Sequence, residues 1–330
     1  MDLDLDVIDL DASVESQAAT LDRVCREAGF FRIPLTCVSF EVAAEAWELA
    51  AEFFASPDAT KRSVGFPEPG YPYGYSPFRF ETLEASLGRS SEPDLKESFS
   101  VGPDTGGRVP GTESAEMWVQ SPSLWPDQPL GLEAAWSRYF RELAAVAARL
   151  MAAMAVALEL PIDYFEPLID RPISSMRGIH YPPIDTARSP GALRAGAHTD
   201  YGTFTILRTD DVAGLEIQAP DGAWLPVVPD PDTFVVNLGD SIARWTNDRW
   251  RSTMHRVALT DRAARQSMAF FHMANWDATI ETLPTCVAPG GQPRYEPVQA
   301  GPWLMKKFQT TVASTTAADG DRARGGCAMD

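Results

Sequence analysis

Three residues that could bind one metal ion lie in the second half of the chain. They are His198 and Asp200, in the fragment His-Thr-Asp, and His255 further downstream. Alternate side chains of an extended strand point the same way, so His198 and Asp200 would share a face. The fragment STMHRVAL alternates similarly and would turn His255 inward. Two imidazoles and one carboxylate, with no thiolate, suit Fe(II) better than structural zinc and leave coordination positions open.

Each of these residues also has an ordinary explanation. A His-x-Asp triplet arises fairly often by chance in an acidic chain, and a single strand histidine is commonly hydrogen-bonded to backbone. The three residues together with a downstream Arg-x-Ser fragment favour the metal site over that explanation. The chain has four histidines. The other two, His180 and His272, are predicted to be structural or to line a substrate site.

Arg265 and Ser267 could form a clamp for a carboxylate. They stand two residues apart in a predicted strand, RQSMAFFH, so the guanidinium and the hydroxyl would converge on one spot. A guanidinium binds a planar carboxylate through charge-assisted hydrogen bonds. Because a buried guanidinium without an anion is costly, its partner would be either a core Asp or Glu or a ligand. Tyr181, on the face of its strand shared with Arg177 and Ile179, could extend the clamp or simply pack.

Composition excludes several classes of protein. The chain has 330 residues, 45% of them hydrophobic, and a net charge of −18, which disfavours nucleic acid as a partner. No apolar run is long enough to span a membrane. The acidic start MDLDLDVIDLD is unlike a signal peptide, which predicts a cytoplasmic protein. The four cysteines, Cys25, Cys37, Cys286 and Cys327, lack paired spacing and are predicted to be free thiols.

The pattern of elements predicts a mixed α+β fold. Helices are expected over 14–28, 39–56 and 131–158, and strands over 5–10, 30–34 and 94–102. From about 172 onward, short β-like runs alternate with turn signals, as in an antiparallel sandwich or jelly roll. We therefore predict a helix-rich segment over 1–120, a jelly-roll region over 121–311 that includes the long helix, and a disordered tail over 312–330.

Nearly the whole chain resembles the Fe(II)/2-oxoglutarate-dependent oxygenases related to isopenicillin N synthase. The second half carries the most specific matches and the first half looser ones. The matching segments are HYPP (180–183), AHTDYGTFTILRTDDVAGLEIQAPDGAWLPVVPDPDTFVVNLGD (197–240), WTNDRWRSTMHRV (245–257), RQSMAFF (265–271), AGFFRI (28–33), EFFASPDATK (52–61), GYPYGYSPF (70–78) and DLKESFSVG (94–102). Many plant members have Asn two residues before the tyrosine of HYPP, where this chain has Ile179.

The resemblance implies a double-stranded β-helix, or jelly roll, with a helix-rich N-terminal segment and flanking helices. It also implies that His198, Asp200 and His255 bind Fe(II), while Arg265 and Ser267, helped by Tyr181, bind 2-oxoglutarate. Such enzymes use O2, release succinate and CO2, and oxidise a small molecule in specialised or amino-acid-derived metabolism. The carboxylate at position 200 favours hydroxylation, desaturation or cyclisation over halogenation.

Two other functions stay open on the sequence. In isopenicillin N synthase-like oxidases the Arg-x-Ser pair holds the substrate's own carboxylate, so this motif does not separate an oxidase from a 2-oxoglutarate enzyme. A non-catalytic binding or sensing protein is the third possibility. An intact metal triad argues against it.

The substrate chamber is predicted from where this family places its segments. The aromatic and glycine-rich loop at 70–80 is expected to form one wall, and segments near 270–276 and 303–308 another. The candidate substrate residues are Tyr73, Tyr75, Phe78, Arg79, Arg177, Phe204, Phe271, Asn275 and Phe308. Arg79 and Arg177 are the candidates for binding an anionic group.

Overall fold

A computed structural model describes residues 3–68, 70–88, 91–103, 118–184, 192–260 and 262–308. The helices are α1 (Val14–Glu27), α2 (Phe40–Ala55), α3 (Asp58–Arg62), α4 (Leu132–Ala157), α5 (Glu166–Ile169) and α6 (Asp240–Trp245), and a further helical stretch covers 300–308. The strands are β1 (Phe30–Pro34), β2 (Gly74–Ser76), β3 (Glu97–Val101), β4 (Ser175–Tyr181), β5 (Leu193–His198), β6 (Phe204–Thr209), β7 (Leu215–Gln218), β8 (Trp224–Pro226), β9 (Thr233–Leu238), β10 (His255–Ala258), β11 (Arg265–His272), β12 (Thr279–Ile280) and β13 (Val298–Gln299). The predicted tail at 312–330 lies outside the described residues.

Two antiparallel sheets form the jelly roll that the sequence predicted. The larger has the order β1-β9-β6-β11-β4-β3-β2, and the smaller has the order β5-β10-β7-β8. Apolar residues from both sheets pack together at two places between them. One group joins Phe30 and Val235 to Ile217, and the other joins Ile179 to Val257. The inner faces of the two sheets therefore enclose a common space.

The outer face of the large sheet packs against the helices. Alternate residues of β11, including Met268 and Phe270, point away from the small sheet into the main apolar core. The Phe270 ring contacts Phe140 of α4 edge to face, with 5.0 Å between centroids. A Cβ at position 178 would lie 2.8 Å from the ring of Trp136 on the same helix, so this close helix–sheet approach requires Gly178.

Most elements agree with the sequence prediction, and two differ. The predicted helices and the strands at 30–34 and 94–102 are present within a few residues. The Ser13 hydroxyl accepts a hydrogen bond from Ser16 N and caps α1, as expected. The expected strand over 5–10 is reduced to an isolated bridge between Val7 and Arg32. The predicted loop at 70–80 contains the short strand β2, which pairs with β3.

A buried acid ties the large sheet to α3. Glu97 accepts hydrogen bonds from Lys61 Nζ (2.7 Å) and from the Tyr75 hydroxyl, and its other oxygen lies 2.8 Å from His180 Nδ1. The ring of Phe54 stacks on His180. Burial alone would raise the pKa of Glu97, but the hydrogen bonds from His180, Lys61 and Tyr75 lower it to about 2. Glu97 is therefore ionised in the folded protein.

We predict that Glu97→Gln lowers the free energy of unfolding at neutral pH by about 2–3 kcal/mol, because it leaves the half-buried Lys61 without its counter-charge. A pKa depressed in the folded state contributes stability above about pH 4.5, which is lost as the pH falls toward 2. Urea unfolding at several pH values should therefore show that the difference in free energy of unfolding between wild type and variant becomes smaller in acid. Glu45→Gln, in an exposed ion pair with Arg138, is the control. A difference in free energy of unfolding that does not change with pH would contradict the lowered pKa of Glu97.

Candidate metal centre and adjoining pocket

Antiparallel pairing of β5 with β10 brings the two candidate histidine ligands together. His198 ends β5, His255 begins β10, and the two are direct partners in the ladder. Their ring centroids are 4.3 Å apart. Phe30 from the opposite sheet packs edge to face on His255 at 5.5 Å between centroids. Both imidazoles are thus held in the space between the sheets.

Backbone carbonyls select one nitrogen of each imidazole. His198 Nδ1 lies 2.7 Å from Gly196 O, and His255 Nδ1 lies 3.1 Å from Thr253 O. A carbonyl can only accept, so each Nδ1 carries a proton, and Nε2 is the nitrogen left to face a metal ion. Burial, followed by the neighbouring His255, lowers the pKa of His198 to about 3. A neutral imidazole with a free Nε2 is the form that binds a metal ion.

Asp200 reaches the histidines by a different route from the one the sequence predicted. Strand β5 ends at His198, so Asp200 lies in the following turn instead of two residues along the same strand. Its Oδ2 accepts hydrogen bonds from Thr205 Oγ1 (2.5 Å) and Asn237 Nδ2 (2.6 Å). These bonds leave Oδ1 facing the imidazoles, 3.8 Å from His198 Nε2 and 3.9 Å from His255 Nε2.

The three side chains together fit one metal ion. One ligand atom from each of His198, Asp200 and His255 lies within 4.8 Å of the others. Burial raises the pKa of Asp200, but the two histidines and the two hydrogen bonds outweigh it and leave the pKa below its usual value. The donor set is two imidazole nitrogens and one carboxylate on one side of a cavity, which suits Fe(II) with open positions.

A second polar group lies on the inner face of the large sheet. Arg265 is 2% exposed and pairs across the ladder with Tyr181, whose ring lies 5.0 Å from the guanidinium carbon. Its Nε donates to Val212 O at 3.3 Å, while Nη1 is buried with no hydrogen-bond partner. The buried Ser267 Oγ has no partner either. Such orphaned donors are costly unless a ligand bonds to them, and a carboxylate fits both.

Further along the same face lies an ionic cluster of Arg177, Glu81, Lys96 and Asp94. Arg177 pairs with Ala269 of β11 in the ladder. Ala269 follows Arg265 by four residues, which corresponds to about 13 Å along the strand. Arg177 Nη1 donates to both oxygens of Glu81 (3.2 and 3.1 Å), and Lys96 Nζ donates to Glu81 at 2.8 Å. Burial opposes ionisation of Glu81, but Arg177 and Lys96 lower its pKa to about 2.

An aromatic group lies beyond this cluster, further along the same face. Phe271 follows Arg265, Ser267 and Ala269 on the inner face of β11 and joins an apolar group with Tyr201, Met273 and Phe308. Phe308 contacts Tyr201, the residue after Asp200, at 5.6 Å between ring centroids. The Tyr73 hydroxyl donates to Val119 O of the same group at 2.5 Å. Three predicted substrate residues, Tyr73, Phe271 and Phe308, thus lie in or against one apolar group, which also contains the residue that follows Asp200.

Arg177 is on the inner face as well, but the structure places the five remaining predicted substrate residues elsewhere. Phe204 faces the helices, because Thr205 next to it points at Asp200 and neighbouring strand residues face opposite sides. Tyr75 is on that outer face too, bonded to Glu97. The Asn275 amide donates to Pro167 O and to Asp170, which is a structural link. Phe78 and Arg79 are exposed, and Arg79 pairs with Glu92.

Several residues that shape the pocket were missed in the sequence. Thr205 and Asn237 orient Asp200, and each is a polar residue in an otherwise largely apolar strand, FTILRT or TFVVNL. Such polar interruptions are a usable signal. Glu81 and Lys96 had no such signal, because charged residues in loops and at strand ends are ordinary in a chain of this composition.

Family models match two parts of the chain. Residues 172–274 match the 2OG-Fe(II) oxygenase superfamily. Residues 4–128 match the N-terminal region described as non-haem dioxygenase in morphine synthesis. The first range contains all three candidate metal ligands, together with Arg265, Ser267 and Tyr181.

Curated relatives align over most of the chain. A 2-oxoglutarate-Fe(II) type oxidoreductase, hxnY of Emericella nidulans, is 32% identical over 279 residues, covering 83% of this chain and 78% of the relative. A homoarginine-6-hydroxylase of Oryza sativa subsp. japonica is 31% identical over 300 residues, covering 88% of each. A proline hydroxylase, buaE of Petromyces alliaceus, is also 31% identical, over 298 residues, covering 86% of this chain and 88% of the relative.

Solved structures share the fold. A full-length Neurospora crassa protein in complex with alpha-KG (2-oxoglutarate) and thymine superposes with a TM-score of 0.81 at 29% identity, covering 93% of this chain and 97% of that one. A 2OG-Fe(II) oxygenase family protein from Caulobacter crescentus gives a TM-score of 0.79 at 30% identity, covering 92% and 98%.

We predict that His255→Ala removes most of the bound Fe(II), because only two ligands remain, while the fold persists because His255 is outside the main apolar core. Metal content after anaerobic loading and desalting, together with a thermal unfolding curve, measures both. The matched control is His180→Gln, which removes a histidine on the opposite face of the large sheet. Full iron content in the His255 variant would exclude it as a ligand.

Proposed function

The chain belongs to the 2OG-Fe(II) oxygenase superfamily, and we propose that His198, Asp200 and His255 hold its iron while Arg265 and Ser267 hold its 2-oxoglutarate. The enzyme is an Fe(II)- and 2-oxoglutarate-dependent dioxygenase acting on a small molecule. The observation that carries the residue assignment is the convergence of three metal-binding atoms on one side of the cavity, together with the buried Arg265 Nη1 and Ser267 Oγ, which have no hydrogen-bond partner. This family membership favours the first of the three functions that the sequence left open.

The iron, when bound, supplies the activation of O2 that couples decarboxylation of 2-oxoglutarate to oxidation of the substrate. The protein's part is to hold the reactants in place. Thr205 and Asn237 fix the Asp200 carboxylate, and Gly196 O and Thr253 O fix the two imidazoles. Ligands held in this way do not have to reorganise when the metal binds.

The surroundings of Arg265 and Ser267 support our proposal that these two residues bind the far carboxylate of 2-oxoglutarate. Within the described residues no carboxylate pairs with the Arg265 guanidinium, although Asp210 is near enough to contribute to its field. Tyr181 packs on the guanidinium and limits its orientation. The second candidate for this role, Arg177, is already bonded to Glu81. A dianionic cosubstrate therefore belongs at Arg265.

For the substrate we propose a neutral small molecule that presents a hydrogen-bond acceptor to Arg177. Nη1 of Arg177 is bonded to Glu81 and Nε donates to Ser100, whereas Nη2 makes no hydrogen bond to any described residue. The formal charges of Arg177 and Lys96 are balanced by Glu81 and Asp94. A chamber wall that is already neutral favours an uncharged acceptor, such as an amide or ring carbonyl, over an anion. A role in specialised or amino-acid-derived metabolism is part of the proposal.

We predict that Arg265→Gln weakens 2-oxoglutarate binding by about 2–3 kcal/mol, because the charge-assisted bonds to the far carboxylate are lost. Anaerobic titration of the Fe(II) enzyme, followed through its visible charge-transfer band, measures the dissociation constant. The control is Arg256→Gln, whose guanidinium pairs with Glu216. An unchanged dissociation constant in the Arg265 variant would move the clamp to the substrate.

We predict that neutral compounds with a carbonyl acceptor accelerate succinate release more than their carboxylate counterparts do. Arg177→Gln should abolish most of that acceleration, while the slow release seen without substrate persists, because cosubstrate binding does not involve Arg177. Arg79→Gln, at the exposed candidate arginine, should behave as wild type. A preference for carboxylates, or full acceleration in the Arg177 variant, would contradict the substrate proposal and leave the metal and cosubstrate assignments intact.

A further inference from the structure

A basic crevice lies outside the metal centre, between the end of α1, helix α6, the segment leading into β10 and the helical stretch at 300–308. Its cavity volume is about 660 Å³, within the range of small-molecule sites. Five cationic side chains line it against two carboxylates. The cations are Arg26, Arg244, Arg249, Arg251 and Lys307. The crevice is therefore locally positive, although the whole chain has a net charge of −18.

The acids near the crevice are already paired. Asp248 binds Arg294 and the Tyr295 hydroxyl. Asp240 accepts hydrogen bonds from Lys307 Nζ (2.8 Å) and Ser252 Oγ (2.7 Å). They have little capacity left to neutralise further cations.

Two of the five cations have no counter-charge among the described residues. The Arg251 guanidinium donates from Nη1 to Glu27 O at 3.1 Å and forms no ion pair with a described carboxylate. Arg244 donates to Glu296 O and stacks on Tyr295, 4.8 Å from the ring centroid, and its Nε is buried without a partner. Both side chains are half-buried, so solvent screens their charges only in part.

We propose that this crevice binds a compact anion of two or more charges, with phosphate or carboxylate groups held by Arg251 and Arg244. Guanidinium groups match such oxyanions through paired, charge-assisted hydrogen bonds. The half-buried ring of Trp303, beside Lys307 at 5.3 Å, adds an apolar wall. The site is distinct from the 2-oxoglutarate clamp, since it shares no residue with Arg265, Ser267 or Tyr181.

The crevice is connected to the metal centre through Asp240. The backbone N–H of Asp240 donates to Asp200 O at 2.8 Å, while its carboxylate holds Lys307 and Ser252 in the crevice wall. Asp240 therefore bonds both to the crevice wall and to the backbone of a candidate iron ligand.

Calorimetric titration of the full-length protein, freed of iron so that the probe has no metal to chelate, tests the site. The probes are inorganic pyrophosphate and, in a second arm, citrate, which separate phosphate from carboxylate recognition. We expect one saturable site with a dissociation constant below about 1 mM for at least one probe. Arg251→Gln should weaken probe binding about tenfold or more. Arg251→Lys should weaken it less, because lysine keeps the charge but loses the paired N–H donors of the guanidinium.

Two controls locate the site. Arg265→Gln should leave probe binding unchanged, and so should Arg138→Gln on a distant exposed pair. Arg26→Gln, at the exposed rim, provides a second crevice variant if Arg251→Gln does not fold, and it should weaken binding as well. Absence of saturable binding, or binding lost in the Arg265 variant but kept in the crevice variants, would overturn the proposal without touching the proposed function.

Discussion

The pairing of β5 with β10 is the constraint on which the rest of the site depends. It sets His198 opposite His255 at the ends of two neighbouring strands, and the backbone fixes both rings through their Nδ1 atoms. Inter-strand spacing of about 5 Å then determines how far apart the two ligand atoms can be. A third ligand has to come from a turn that reaches back to them, and Asp200 is in that position.

Charge explains why the pocket is divided into two parts. At the iron end of the cavity, the Arg265 guanidinium offsets the Asp200 carboxylate, and a dianionic cosubstrate would offset the two positive charges that a ferrous ion brings. The end around Arg177 is balanced by Glu81, Lys96 and Asp94 within the chain. Because burying an unbalanced charge is costly, each end favours a different class of ligand.

The strand pattern predicted which side chains point inward wherever a strand was regular. Arg265 and Ser267 on β11, and Arg177 and Tyr181 on β4, are on the inner face as their alternation indicated. Asp200 lies beside the two histidines as predicted, but it is in a turn after β5 and not on the strand where the alternation pattern had placed it. Phe204 was predicted on the inner face of β6, but Thr205 occupies that face, and neighbouring residues of a strand point to opposite sides. Contacts between distant segments, such as Glu81 with Arg177, depend on how loops fold over the sheet, which local patterns do not encode.

The most direct test of the account is a crystal structure grown without oxygen, with Fe(II) and an unreactive analogue of 2-oxoglutarate. We expect metal density bound by Nε2 of His198, Oδ1 of Asp200 and Nε2 of His255, with the far carboxylate of the analogue on Arg265 and Ser267. A metal bound elsewhere, or an analogue whose far carboxylate lies on Arg177, would contradict it.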